Sequence, residues 1–204
     1  MERVDAVRVH DLIRVHSKVA ARWLDAPAWV RQSLDDAPWV VVRRARVHDT
    51  IPVGVRGTYR AERFAAHIRN EDILDIVTPE DLVRKLDRDT VLAAAARAVS
   101  YVANANALRW GITGSFGFEL ASGRRTTNGK SDLDIVVRFK PDDDRKALIA
   151  FGERCAEIEN ATRTSIDAEV DLAVAAVALR ELCKGTSRLV AKTIDGPCLV
   201  NYPL

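Results

Sequence analysis

The feature that most constrains this chain is the stretch at residues 110–139, WGITGSFGFELASGRRTTNGKSDLDIVVRF. A short apolar run stops at Gly114-Ser115, and further on Asp132 and Asp134 stand one residue apart at the head of the run Ile135, Val136 and Val137. In a β-strand successive side chains alternate faces, so the two carboxylates share a face while Leu133 and Ile135 turn into a core. Two carboxylates held together repel unless a cation lies between them. Mg²⁺ suits such a pair, because it takes oxygen ligands and is usually held by one or two carboxylates plus substrate phosphates. Taken alone, D-x-D is also compatible with a solvated strand end. The Gly-Ser turn upstream shifts the balance toward a site.

A chain of 204 residues has room for one main domain with a smaller companion. Lys and Arg number 31 against 29 for Asp and Glu, and the formal net charge of +2 argues against a dedicated, sequence-independent nucleic-acid binder, which carries a marked basic excess. No stretch approaches the roughly 20 consecutive apolar residues of a membrane span. The first residues, MERVDAVRVHDLIRVH, lack the apolar centre of a secretory signal. Cys155, Cys183 and Cys198 are odd in number, widely spaced and without a metal-ligand pattern. The expectation is a cytoplasmic protein with reduced thiols and neither nucleic-acid nor membrane partners.

From the N-terminus, residues 9–34 are predicted helical, with Leu12, Val15, Val19 and Trp23 at near-helical spacing and Pro27 breaking the run before a second short helix. Residues 38–42 and 51–55 read as a hairpin-like strand pair around a polar turn at His48 and Asp49. Next comes GVRGTYRAERFAAHIR, where Arg56, Arg60 and Arg63 recur at spacings of four and three. A helix from residue 59 onward would put Arg60 and Arg63 on one face, with Gly57 allowing a tight strand-to-helix turn. Arginines gathered at such a junction suit an oxyanion, although a solvated, salt-bridged helix face is the better account of the spacing alone. Residues 1–77 are thus expected to form a small N-terminal α/β module.

A soft boundary precedes Thr78-Pro79-Glu80-Asp81, which has the threonine, proline and acids of a helix start, and residues 78–204 form the expected second domain. An alanine-rich helix at 89–105 leads to a strand at 108–113. After the central stretch, Pro141 and the acids Asp142, Asp143 and Asp144 open another helix, the acids serving its dipole. In TSIDAEVDL, at 164–172, Asp167, Glu169 and Asp171 occupy alternate positions of a predicted strand, so at least one can join Asp132 and Asp134. Residues 188–200 read as strand, Asp195-Gly196 turn, strand. The four histidines and four tryptophans are scattered and read as structural.

A strand ending in Gly-Ser, a loop, a strand beginning D-x-D, a helix and a third acidic strand together resemble the nucleotidyltransferase superfamily of the polymerase β type. That resemblance implies an α+β fold with a mixed sheet and flanking helices. It also implies that Gly114 and Ser115 present a triphosphate-binding turn, and that Asp132, Asp134 and a third carboxylate, Asp167 or Glu169, hold Mg²⁺ or Mn²⁺ and catalyse. The loop between Ser115 and Asp132 is longer than that superfamily usually has.

A narrower resemblance takes in the long loop. GITGSFGFELASGRRTTNGKSDLDIVV, with PWVVVRRA, IPVGVRGTYRAERFAA, VTPEDL, IDAEV and LVAKTIDGPCLV, is similar to the malonate decarboxylase holo-acyl-carrier-protein synthases, the phosphoribosyl-dephospho-CoA transferases. The similarity implies transfer of the phosphoribosyl-dephospho-CoA group from its triphosphoribosyl donor to a serine of the acyl-carrier subunit of malonate decarboxylase, with release of pyrophosphate. Lys130, Arg124, Arg125 and Lys192 are then candidates to contact the triphosphate, and Arg56, Arg60 and Arg63 to meet the donor or the carrier. Another nucleotidyltransferase activity, such as citrate lyase carrier modification or protein adenylylation, and a non-catalytic nucleotide- or carrier-binding module are the alternatives.

Overall fold

A computed structural model describes residues 7–46, 49–59, 61–87, 89–140 and 142–201. The chain is α+β and divides into two compact units, Met1–Thr78 with Phe118–Thr126, and Pro79–Gly117 with Thr127–Leu204.

The first unit is built on five strands: β1 (Leu12–Val15), β2 (Trp39–Val42), β3 (Ile51–Arg56), β4 (Arg63–Ile68) and β5 (Ile73–Val77). They form one antiparallel sheet in the order β4-β3-β2-β1-β5. Helix α1 (Ala28–Asp36) follows Pro27 and turns Val30 and Leu34 into a core with Ile13, Val15, Val40, Val53 and Ile68. Two expectations fail here. The helix predicted from residue 9 up to Pro27 is strand β1 and then a 3-10 turn at Ser17–Arg22, whereas the second short helix predicted after Pro27 forms, as α1. Leu12, Ile13 and Val15 are all buried because β1 lies between β2 and β5, and pairing on both edges overrides an apolar spacing that a helix would also satisfy. The predicted helix after residue 59 is strand β4, whose Phe64, Ala66 and Ile68 are more buried than Arg63, Ala65 and His67. Gly57 does make a tight turn, between two strands, its N–H donating to the Glu62 carbonyl at 3.0 Å. His48 and Pro141 lie outside the described residues.

The second unit carries β6 (Arg109–Ile112), β7 (Leu133–Arg138), β8 (Ile166–Asp171), β9 (Ala175–Ala178), β10 (Arg188–Thr193) and β11 (Gly196–Asn201). Their order is β11-β10-β9-β8-β7-β6; β7 and β8 are parallel and the other pairs antiparallel, so the sheet is mixed as expected. A parallel pair needs a crossover, and α5 (Arg145–Thr162) supplies it. The Asp144 side chain caps α5 by accepting from the Lys146 N–H at 2.8 Å, and Thr90 caps α3 (Val91–Ala105) in the same way from Ala93 at 3.1 Å. Helices α3 and α5 pack on the sheet face that carries Leu133, Ile135, Val137, Ile166 and Val170, all buried. The Asp195-Gly196 turn forms as predicted, with Gly196 at φ +109° and Pro197 opening the edge strand β11.

Helix α2 (Pro79–Leu82) is only four residues long, and two features fix it on the other face. Gly111 of β6 leaves room for it: a Cβ there would come within 2.3 Å of the Pro79 carbonyl carbon. Glu80 then reaches Arg109 at 3.1 Å and Arg138 at 3.4 Å, while Arg138 also holds Asp171 at 2.7 Å.

Burial of the Cys155 thiol among these elements, reinforced by Glu159 and Cys183, pushes its pKa up to about 12. Because the thiolate is the nucleophile, Cys155 is expected to resist iodoacetamide at pH 8 in the folded protein and to react fully in urea, which peptide mass spectrometry checks. Phe151→Ala, deleting a fully buried ring from the same helix, is expected to cost about 3–5 kcal/mol, read as a shift of the urea midpoint with unchanged slope.

Candidate active site

The parallel pair β7–β8 sets the acidic side chains in register. Asp134 is the partner of Asp167, Val136 of Glu169 and Arg138 of Asp171. Partnered positions on adjacent strands project to the same face, so Asp134 and Asp167 are neighbours, with Glu169 and Asp171 further along β8 on that face. Asp132 lies just before β7 and is exposed, whereas Asp134 is half-buried. D-x-D therefore straddles the start of the strand.

The Gly-Ser turn meets this pair directly. Gly114 opens helix α4 (Gly114–Ser122) with φ +61°, and a Cβ added there would lie 1.8 Å from an Asp134 carboxylate oxygen. The Thr113 N–H donates to the Asp134 carbonyl at 2.9 Å. The positive end of the α4 dipole thus starts beside a carboxylate. Ser115 sits in the same first turn, half-buried. The long loop expected between Ser115 and Asp132 is therefore helical as far as Ser122. Phe116, Phe118 and Leu120 are buried, and this apolar content inside the central stretch was the available signal.

Glu169 and Lys192, both expected at the site, meet each other at 2.8 Å. The Lys192 side chain is 64% exposed, so the pair is worth little as stability, but it neutralises a carboxylate that would otherwise crowd Asp167. Asp171, the last acid of the alternation, is engaged by the buried Arg138. The clasp of Arg138, Asp171, Glu80 and Arg109 was missed, since Glu80 is 58 residues from Arg138 in the chain. Lys130 is exposed in a turn just before Asp132, its N–H donating to the Asn128 side-chain oxygen at 2.8 Å.

The remaining basic candidates fall elsewhere. Arg56, Arg124 and Arg125 belong to the first unit, where they line one small pocket. Arg63 stands opposite Arg56 across β3 and β4, as a cross-strand neighbour and not a helical one. Arg60 lies outside the described residues.

Among the described residues, no group of three or more His, Cys, Asp or Glu side chains is arranged to hold a metal ion by itself. Adjacent carboxylates at Asp134 and Asp167, with Asp132 at the strand start, instead fit the Mg²⁺ pattern in which protein supplies few ligands and substrate phosphates the rest.

Residues 8–79 match the family model described as the phosphoribosyl-dephospho-CoA transferase MdcG N-terminal domain, and residues 81–203 match that of the MdcG C-terminal domain. The chain belongs to the MdcG family. Among relatives, it is 35% identical to the phosphoribosyl-dephospho-CoA transferase of Pseudomonas putida strain GB-1 over 201 residues, covering 98% of this chain and 96% of that protein. It is also 35% identical to that of Pseudomonas fluorescens strain Pf0-1 over 184 residues, covering 88% and 86%. The Klebsiella pneumoniae subsp. pneumoniae transferase is likewise 35% identical, over 96% and 95%. No solved structure matches.

Gly114 separates two effects in this MdcG-family site. At Gly123, also left-handed at φ +75°, an added Cβ meets nothing within 4 Å. Gly123→Ala is expected to cost only the backbone term, about 1–2 kcal/mol, whereas Gly114→Ala adds a collision with the Asp134 carboxylate and costs more. Urea midpoints of the two variants, side by side, check this.

Proposed function

We propose that this chain transfers the 2'-(5''-phosphoribosyl)-3'-dephospho-CoA group from its triphosphoribosyl donor to a serine of the acyl-carrier subunit of malonate decarboxylase, releasing pyrophosphate. Membership of the MdcG family supports this reading. The observation that carries it is the contact of Gly114 with Asp134, beside Asp167 on the neighbouring strand. The second unit is accordingly taken as a catalytic domain of the polymerase β type, and the protein as cytoplasmic.

In the reaction, the carrier serine oxygen bonds to the α-phosphorus of the donor, the bond from that phosphorus to the bridging oxygen breaks, and the electron pair leaves on pyrophosphate. Mg²⁺ or Mn²⁺, when bound, neutralises charge developing on the phosphoryl oxygens and on the leaving group. Asp132 and Asp134 would hold that ion. The turn at Gly114 and Ser115 cradles the β- and γ-phosphates, and the α4 dipole favours their charge. Lys130, next to Asp132, screens the outer phosphates.

Asp167 is the better candidate than Glu169 for the third carboxylate. Glu169 is committed to Lys192, while no ion pair engages Asp167 among the described residues. Asp167 accepts the serine proton or completes the ligand set, and Lys192 holds Glu169 away from the reacting atoms.

The test is a mass measurement on the apo carrier subunit after incubation with enzyme, donor and Mg²⁺. The expected result is a mass increase equal to the prosthetic group, abolished by EDTA; an unchanged malonate decarboxylase carrier would refute the assignment. Asp134→Asn and Asp167→Asn are expected to slow transfer by about 10²-fold or more with an unaltered circular dichroism spectrum, and Glu169→Gln far less. Equal losses in Asp167→Asn and Glu169→Gln would overturn the choice between them.

A further inference from the structure

The first unit holds a pocket that the proposed chemistry does not use. Its volume is about 60 Å³, suited to a group of phosphate size, and its walls include Arg56, Thr58, Phe118, Arg124, Arg125 and Thr126. Among the described residues that line it, three are arginines and none is a carboxylate. We propose that this pocket is an oxyanion subsite that takes a phosphoryl group of a phosphorylated small molecule.

The chain goes to some length to bring these groups together. Arg56 ends β3, with its guanidinium carbon 6.0 Å from the centre of the buried Phe118 ring, which gives the flat cation a surface to lie on. Gly123, left-handed, ends α4 and reverses the chain. The buried Glu119 then accepts from the Thr126 N–H at 2.9 Å, and Ser122 Oγ accepts from the Arg124 N–H at 3.2 Å, so the turn carrying both arginines is pinned at each end. Arg124 is steadied by Asp36 at 3.4 Å and by the Thr58 hydroxyl at 3.5 Å.

Three guanidinium groups gathered around so small a space attract an anion of matching size. Guanidinium forks bind phosphate oxygens in pairs, and the hydroxyls of Thr58 and Thr126 add neutral donors. Nearby acids have named partners of their own: Glu119 accepts from the Thr126 amide, Glu62 from the Tyr59 amide at 3.0 Å, and Asp36 pairs with Arg124.

Phosphate here has two sources on the proposed donor, the triphosphate end and the pyrophosphate of its dephospho-CoA part; only this last attribution rests on the proposed function. The experiment is calorimetric titration of the full-length protein in EDTA with inorganic pyrophosphate and, separately, with dephospho-CoA. Chelation and a parallel Asp134→Asn variant silence any metal-dependent phosphate binding, so the result is independent of whether transfer occurs. Saturable binding of at least one probe is expected, weakened about 10- to 100-fold in Arg125→Ala and less in Arg125→Lys, which keeps charge but loses the fork. Arg125 is exposed, so neither substitution removes core packing. Tighter binding of dephospho-CoA than of pyrophosphate would assign the pocket to the coenzyme end, and the reverse to the triphosphate end. No binding of either probe, or binding unaffected by Arg125→Ala, would overturn the proposal.

Discussion

The second unit depends on one pairing, the parallel register of β7 and β8. Parallel strands cannot be joined by a short turn, so this register dictates the α5 crossover, and α5 with α3 covers the apolar face of the sheet. The same register decides which acids become neighbours. A slip of one residue would send Asp167 and Glu169 into the core and turn Ile166 and Ala168 toward Asp134. The apolar face forbids that slip, because Leu133, Ile135, Ile166 and Val170 are all buried together. Packing on one side of the sheet thus holds the carboxylates on the other.

Charge is distributed unevenly between the two units. The second gathers carboxylates along β7 and β8, with Lys192 on Glu169 and Arg138 on Asp171. The first gathers arginines where β3 ends and where α4 gives way to the turn at Gly123. Helix α4 belongs to both: Gly114 through Gly117 count with the carboxylates, Phe118 onward with the arginines. One nine-residue helix therefore begins in acidic and ends in basic surroundings, and a near-neutral net charge conceals this polarity.

What the sequence disclosed was mostly local. The alternation in TSIDAEVDL, the D-x-D before an apolar run, the Asp195-Gly196 turn and the acids before α5 each rest on spacings within a few residues. What it concealed was long-range. Strand β1 carries an apolar spacing that suits a helix until β2 and β5 pair on either side, and Arg56 and Arg63 face each other because β3 and β4 pair. The contact of Gly114 with Asp134, and that of Glu80 with Arg138, join residues far apart in the chain, and no spacing rule encodes them. Arg124 and Arg125 looked like loop residues, and it took Gly123 and the buried Glu119 to show where they return.

Gly114 has a consequence for how the second unit can fold. With no Cβ on the glycine, an Asp134 carboxylate oxygen lies 1.8 Å from where any other residue would put a carbon atom. The start of α4 and strand β7 can approach that closely only while position 114 carries no side chain. The glycine contributes no atom to a bond, yet its missing methyl group is what admits the carboxylate.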